Sequence, residues 1–494
     1  MSMFRASLLP YFRSELKGFV CLYFTIVFVV IVLPCLSYAQ PKVWDLQGCI
    51  EYAYKNDVGL NQQILTTEAI GINYKQAKDN LWPNLSLTDA ESFNFGNTIN
   101  SNTNQVIHQN TSSNYPSLSS TVTLFNGFKY MNLVKENKQN YEASKLDIET
   151  QKNNLALNIT AAYVQILFDH EAVNIAQHQI ESDSVEVKRM EMFVAVGQTP
   201  EDSLLIIRAQ LATDRAAKVT TQMQVELANV QLEQLMEMPI VVNFAIATPD
   251  ENGISPDISS SAAEVYDIAA RILPDEKSAA LKTNAFETDL LVNKASLLPS
   301  LNLTGGLSTE YYSALTSTNY QTTYRDETIG YLQNNPSQLV TGPVLVTNTT
   351  SQPYSFSNQF KNNFSQVIAL SLSVPIFNNF KARNNIRLAK IAVENARLNE
   401  QAVKNTLRKN VETAYTNQVA GSKTFIATKE QLISETRAFA DMTKKFNVGL
   451  TNVTDYLVEE NNYYKAVLAN LQAKYQYIFE TKVVAFYTGT PITK

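Results

Sequence analysis

The sequence predicts an internally duplicated chain with four β-strands of the membrane-barrel kind and long coiled-coil-like helices, its sheet too small to close by itself. Three observations carry this prediction. The chain contains itself twice, long tracts lack the residues that end helices, and short stretches between them alternate apolar and polar side chains.

The duplication sets the frame. Trp82-Pro83-Asn84-Leu85-Ser86-Leu87-Thr88 returns 216 residues later as Leu298-Pro299-Ser300-Leu301-Asn302-Leu303-Thr304. Phe125-Asn126-Gly127-Phe128-Lys129 returns after 252 residues as Phe377-Asn378-Asn379-Phe380-Lys381, and Val196-Gly197 and Pro239-Ile240 recur at that same spacing. The change of spacing places a 36-residue insertion between the first two anchors of the second copy. Fixed spacing elsewhere is the mark of a repeat architecture. Residues 40–240 form the first repeat and 261–494 the second. Residues 241–260, with Pro249, Asn252, Gly253 and Pro256, connect them.

The helices follow from what is missing. Neither glycine nor proline occurs from Phe128 to Val196, and Phe380 to Val448 holds only Gly421. Glu201 to Met238 and Leu450 to Thr488 also lack both. Helix is the ordered structure such tracts form, at ~100 Å for the longest. The expectation is a helical hairpin over 128–238 with its turn near 197, and another over 380–488 with its turn near 449. Ile159, Ile166, Val173, Ile180, Val187 and Val194 recur every seven residues, as do Phe425, Leu432, Phe439 and Phe446. That period predicts helices packed along coiled-coil-like seams, with an ordinary bundle core as the plainer alternative. His170 and His178 are eight residues apart, which is not a chelating spacing, so no metal site is expected.

The strands follow from alternation. Leu85 and Leu87 alternate with Ser86 and Thr88, and Val122 and Leu124 with Thr121 and Thr123. Leu301 and Leu303 mark the next strand, and Leu370, Leu372 and Val374 alternate with Ser371 and Ser373. These are half-buried strands, which gives β-hairpins over 84–125 and 300–377. Gly96 to Tyr115 reads as loop. The insertion, around Glu310 to Phe364, is dense in tyrosine (Tyr311, Tyr312, Tyr320, Tyr324, Tyr331, Tyr354). Such tyrosines suit an aromatic girdle at a membrane interface.

The N-terminus reads as an export signal over 1–39. Arg5, Arg13 and Lys17 precede the apolar run from Phe19 to Leu33, and Ser37-Tyr38-Ala39 offers a cleavage site. A retained membrane anchor or a lipoprotein acylated at Cys35 are the alternatives. Removing the signal leaves Cys49 as the mature chain's one cysteine, which excludes an intrachain disulfide. It also shifts the net charge from −6 to −8, which gives no support for nucleic-acid binding.

A sheet with Leu/Val/Phe on one face and Ser/Thr/Asn on the other suits the boundary between lipid and water. A small soluble sheet packed on helices is the alternative. In a membrane, open edges are not tolerated and closure takes about 8 strands or more, so four strands per chain would require oligomerisation.

At this point the residues carry a family resemblance. Phe446-Asn447-Val448-Gly449-Leu450-Thr451-Asn452-Val453-Thr454-Asp455-Tyr456-Leu457 resembles the helix-turn-helix tip of the TolC-like outer-membrane efflux proteins. Pro83-Asn84-Leu85, Pro299-Ser300-Leu301 and Pro375-Ile376-Phe377 are similar to that family's motifs as well. The resemblance implies a homotrimer: a twelve-stranded barrel in the outer membrane of a Gram-negative bacterium, continued by a helical barrel in the periplasm. It implies a passive duct that docks a periplasmic adaptor protein and, through it, an inner-membrane pump. Val196, Gly197, Val448, Gly449 and Leu450 would form the docking tip, although both glycines also suit plain helix reversal. Asp202, Ser203, Asp455 and Glu459 are candidates for a periplasmic gate, with a helix-cap role open for Asp455. Neither catalysis nor a cofactor is expected, since the sequence lacks the nucleophile-elbow, zinc-protease and phosphate-loop motifs. The alternative function is a coiled-coil envelope spacer without a pore.

Overall fold

The computed structural model describes residues 43–99, 104–240, 244–248 and 261–492. The proposed signal segment and Cys35 lie outside the described residues, as does most of the 241–260 connector. The first repeat runs β1 (Val43–Trp44), α1 (Leu46–Asn56), α2 (Val58–Asp79), β2 (Ser86–Asn94), β3 (Asn97–Ile99), β4 (Val106–His108) and β5 (Thr111–Phe125). It continues with α3 (Lys129–Ala195) and α4 (Glu201–Leu235), and β6 (Ala245–Ile246) follows in the connector. The second repeat runs α5 (Ala262–Ile272), α6 (Pro274–Ala295), β7 (Ser300–Ser308), β8 (Tyr311–Tyr312), β9 (Thr316–Leu332) and β10 (Asn335–Pro353). It closes with α7 (Phe356–Asn362), β11 (Ser365–Ser373), α8 (Lys381–Asn447) and α9 (Val453–Tyr487).

Helix lengths repeat residue for residue. The 11 residues of α1 match the 11 of α5, and the 22 of α2 match the 22 of α6. The 67 of α3 match the 67 of α8, and the 35 of α4 match the 35 of α9. Start signals repeat too. Asp45 caps α1 by accepting from the Gly48 amide at 3.0 Å. At the corresponding place Ser261 and Glu264 cap α5 reciprocally, at 3.3 and 2.9 Å.

One compact unit comprises the described parts of Met1–Gln62, Ile148–Leu273 and Thr406–Lys494. Trp44, Cys49, Ile50, Ile159, Tyr163, Ile166 and Leu232 are buried together in its largest core. There β1 and β6 pair in parallel, and the Tyr163 hydroxyl donates to the Ala247 carbonyl. The seven-residue positions are all buried or half-buried: Ile159, Ile166 and Val187 fully, Val173, Ile180 and Val194 partly. In α8 Phe446 is buried, while Phe425, Leu432 and Phe439 are half-buried. The seam is therefore real packing, stabilised mainly by apolar area removed from water.

The second unit comprises Gln63–Asp147 and Pro274–Asn405. Four long antiparallel strands lie in the order β11-β7-β5-β2, with the short β8 also paired to β5. The register gives each face one chemistry. Leu87, Leu118 and Leu307 are cross-strand neighbours, and so are Val122, Leu303 and Leu370, with Leu301 and Leu372 on the same side. The opposite face carries a ladder of hydroxyl and amide bonds: Ser86 to Ser119 at 2.9 Å, Thr121 to Thr304 at 3.1 Å, Thr123 to Asn302 at 2.9 Å and Ser308 to Ser365 at 2.9 Å. Within the chain the apolar face is largely bare, with Leu85, Leu87, Ile368, Leu370 and Leu372 all exposed. The outer edges of β2 and β11 have no strand partner among the described residues. No described helix is long and apolar enough to cross a membrane.

The sheet passes into the long helices through left-handed backbone. Gly127 and Phe128 have φ of 67° and 63°, and Asn379 and Phe380 have 53° and 59°. Phe125 meets Phe128 edge-on at 5.4 Å, and Phe377 meets Phe380 in the same way at 5.4 Å. Gly127 is also crowded, because an added Cβ would lie 2.7 Å from that of Leu298. Asparagine serves at 379 because it tolerates this conformation better than most side chains.

The insertion is built from strands: β9 and β10 form a separate antiparallel ribbon from Leu332↔Asn335 to Thr316↔Pro353, with Tyr320, Tyr324 and Tyr331 exposed on it. At its base the buried Gln359 of α7 fastens β8, accepting from the Tyr312 amide at 2.9 Å and donating to the Tyr312 and Tyr354 carbonyls. Gly96 to Tyr115 likewise contains β3, β4 and the start of β5. In Gly96 to Tyr115, cross-strand pairing outweighs the low local preference of Asn and Ser for strand and replaces the expected loop.

Candidate functional site

The two long helical hairpins reverse by the same device. In the first, the Gln198 amide donates to the Phe193 carbonyl at 2.9 Å and the Gly197 amide to Val194 at 3.0 Å. In the second, Leu450 donates to Lys445 at 2.9 Å and Gly449 to Phe446 at 3.1 Å. This is the Schellman pattern, and it needs a left-handed residue at its centre. Gly197 and Gly449 supply it with φ of 73° and 75°. Beyond each turn the caps differ. Pro200 opens α4 with no side-chain bond, whereas Asn452 opens α9 by accepting from the Asp455 amide at 2.8 Å.

The turns leave apolar side chains in the open. Val196 is 74% exposed, Val448 68% and Leu450 77%. Leu205, Ile206 and Val458 are also exposed on the first turns that follow. Sequence reasoning missed these three, although Ile206 and Val458 are equivalent positions of the two copies. Just behind them Val187, Met190, Leu204, Ile207 and Leu211 pack with Phe446, Val453, Tyr456 and Leu457, which clamps the hairpins side by side. Phe446 stacks on Tyr456 at 4.5 Å, and the Arg189 guanidinium lies over Phe446 while donating to the Asn447 side chain.

Among the described residues, no hydrogen bond or ion pair links the four gate candidates to one another. Asp202 is exposed and Ser203 half-buried in the first turn of α4. Asp455 is exposed and its carboxylate accepts from the Asn452 amide nitrogen at 2.8 Å, while Glu459 is half-buried. Near the turn, the charged group that α9 buries is instead the neighbouring Glu460. It accepts from the Ser182 hydroxyl at 3.1 Å and shares its surroundings with Asp183 and Asp214. Burial, then the adjoining carboxyls of Asp214 and Glu460, push Asp183 well above the ordinary carboxylate range. Burial and the charge of Glu186 push Glu460 upward, against the Ser182 bond. No group of His, Cys, Asp or Glu suited to a metal ion occurs among the described residues.

A fold of this kind has known relatives. The family model for the outer membrane efflux protein matches residues 50–236 and 266–489, the body of both repeats. The chain belongs to the outer membrane efflux protein family. Solved structures agree on the fold. The channel-forming protein CusC aligns over 92% of this chain and 96% of its own, with a TM-score of 0.73 at 16% identity. VceC of Vibrio cholerae aligns over 90% and 96%, with a TM-score of 0.71 at 12% identity. CmeC of Campylobacter jejuni aligns over 90% and 85%, with a TM-score of 0.67 at 19% identity. No curated protein matches by sequence. As an outer membrane efflux protein the chain is a channel component of the Gram-negative outer membrane, with its helical part in the periplasm. The reading as a spacer without a pore finds no support.

Proposed function

We propose that three copies of this chain join their four-stranded sheets into a twelve-stranded barrel, forming a passive duct from periplasm to exterior. The observation that carries this is the bare, two-faced sheet with open edges at β2 and β11. In lipid such edges leave backbone groups without partners, so a second copy must supply them. The hydroxyl ladder would face the water-filled lumen and the leucine face the hydrocarbon. The helical turns would dock a periplasmic adaptor linked to an inner-membrane pump, with Val196, Val448 and Leu450 as the apolar contacts and Gly197 and Gly449 shaping the turns.

The exposed Asp455 of three copies would ring the periplasmic mouth and favour cations, with Asp202, Ser203 and Glu459 nearby in each copy's hairpins. Leu450→Asp tests the docking role. It should abolish efflux while trimers remain intact in outer-membrane extracts. Normal efflux by this variant, at normal expression, would remove the tip assignment.

A further inference from the structure

Asp183 poses a problem that the duct reading does not solve. It lies on α3 in the seam between the helical hairpins, is 1% exposed, and neither carboxylate oxygen has a hydrogen-bond donor. Around it, most donors are directed at other groups, although Arg189 Nε is buried without a partner. Gln179 at 3.0 Å and Gln210 at 2.9 Å both give their amides to Asp214 on α4. Ser182 gives its hydroxyl to Glu460 on α9, and Arg189 is held by Glu186 and Asn447. From α8 the seam receives the hydrophobic Phe439, Met442 and Phe446, and Asn447, which accepts from Arg189. Tyr456 and Tyr464 complete the surroundings from α9.

An ionised Asp183 would be a buried charge without a partner, facing two further carboxyls. A protonated one carries an O–H donor of its own, and has Asp214 and Glu460 as acceptors. We propose that Asp183 is a buried proton-binding site, whose proton bridges Asp183 to Asp214 and Glu460 and so fastens the α3/α4 hairpin to the α9 helix of the second hairpin. The ligand is a proton, and no other reactant is needed.

The sign of the pH effect follows. The packed seam holds a proton that the opened seam releases once pH exceeds the ordinary carboxylate range. Packing is therefore tightest in acid and weakens as pH rises toward the elevated range of the buried group, consistent with the upward push on Asp183 and Glu460. One linked proton changes the opening equilibrium by at most about tenfold per pH unit. Any consequence for adaptor docking rests on the proposed function, but the proton itself does not.

The test uses the full chain purified in detergent. At mildly alkaline pH, where ordinary carboxylic acids are ionised, the infrared spectrum should retain a protonated-carboxyl band that Asp183→Asn removes. Hydrogen exchange in 456–464, corrected for intrinsic rates, should accelerate with pH in the wild type and do so less steeply in Asp183→Asn, whose amide keeps a donor while Glu460 still titrates. Glu460→Gln removes one like charge and lowers the elevated range of Asp183, so the acceleration should level off at lower pH. An absent band, or equal pH dependence in all three proteins, would overturn the proposal. Neither readout involves efflux, so failure here is separable from failure of the duct reading.

Discussion

Gly449 holds φ of 75° at the turn between α8 and α9, and an added Cβ would meet nothing within 4 Å. Space is therefore not the constraint; backbone conformation is. Gly449→Ala should cost roughly 1–2 kcal/mol locally, and Gly449→Pro should break the Schellman bonds by removing the amide that reaches Phe446. We expect efflux to survive the first substitution and fail in the second with trimers retained, checked by an efflux assay and by mass in detergent. The apolar turn was legible at Val448-Gly449-Leu450 because those residues are contiguous. The proton site was not read, yet a signal existed. Asp183 lies three residues after Ile180 and four before Val187, a position that a seven-residue period assigns to the seam. Its partners come from α4 and α9, and only folding brings those together.

At the scale of elements, helices were readable because glycine and proline act locally, whereas the ribbon of the insertion was not. β9 and β10 pair over sixteen aligned positions, many of them Thr, Asn or Ser, and pairing between segments leaves little trace within either one. The strand faces yield a sharp expectation. Leu370→Arg places a charge on the leucine face and should cost about 2–4 kcal/mol if that position sits near the bilayer midplane, seen as loss of the protein from outer-membrane fractions. Ser371→Arg, one residue away on the opposite face, should still insert. The ribbon should be dispensable: replacing Thr316–Pro353 by a short turn is expected to leave efflux unchanged, measured at matched expression. Its exposed faces and separate pairing give the main sheet no hydrogen bonds to lose.

Across the whole molecule, duplication and closure belong together. Helix lengths agree in all four pairs, while the first hairpin and its inserted counterpart do not. Six hairpin turns in a trimer must end level to present one docking surface, and nothing comparable constrains a ribbon at the other end of the strands. What a single chain leaves unfinished is the sheet, with β2 and β11 open. The mass of the protein extracted from outer membranes in mild detergent tests that most directly. Three mature chains per particle, with a β-signal in circular dichroism, is the expected result; a single chain per particle with the β-signal intact would contradict closure between copies.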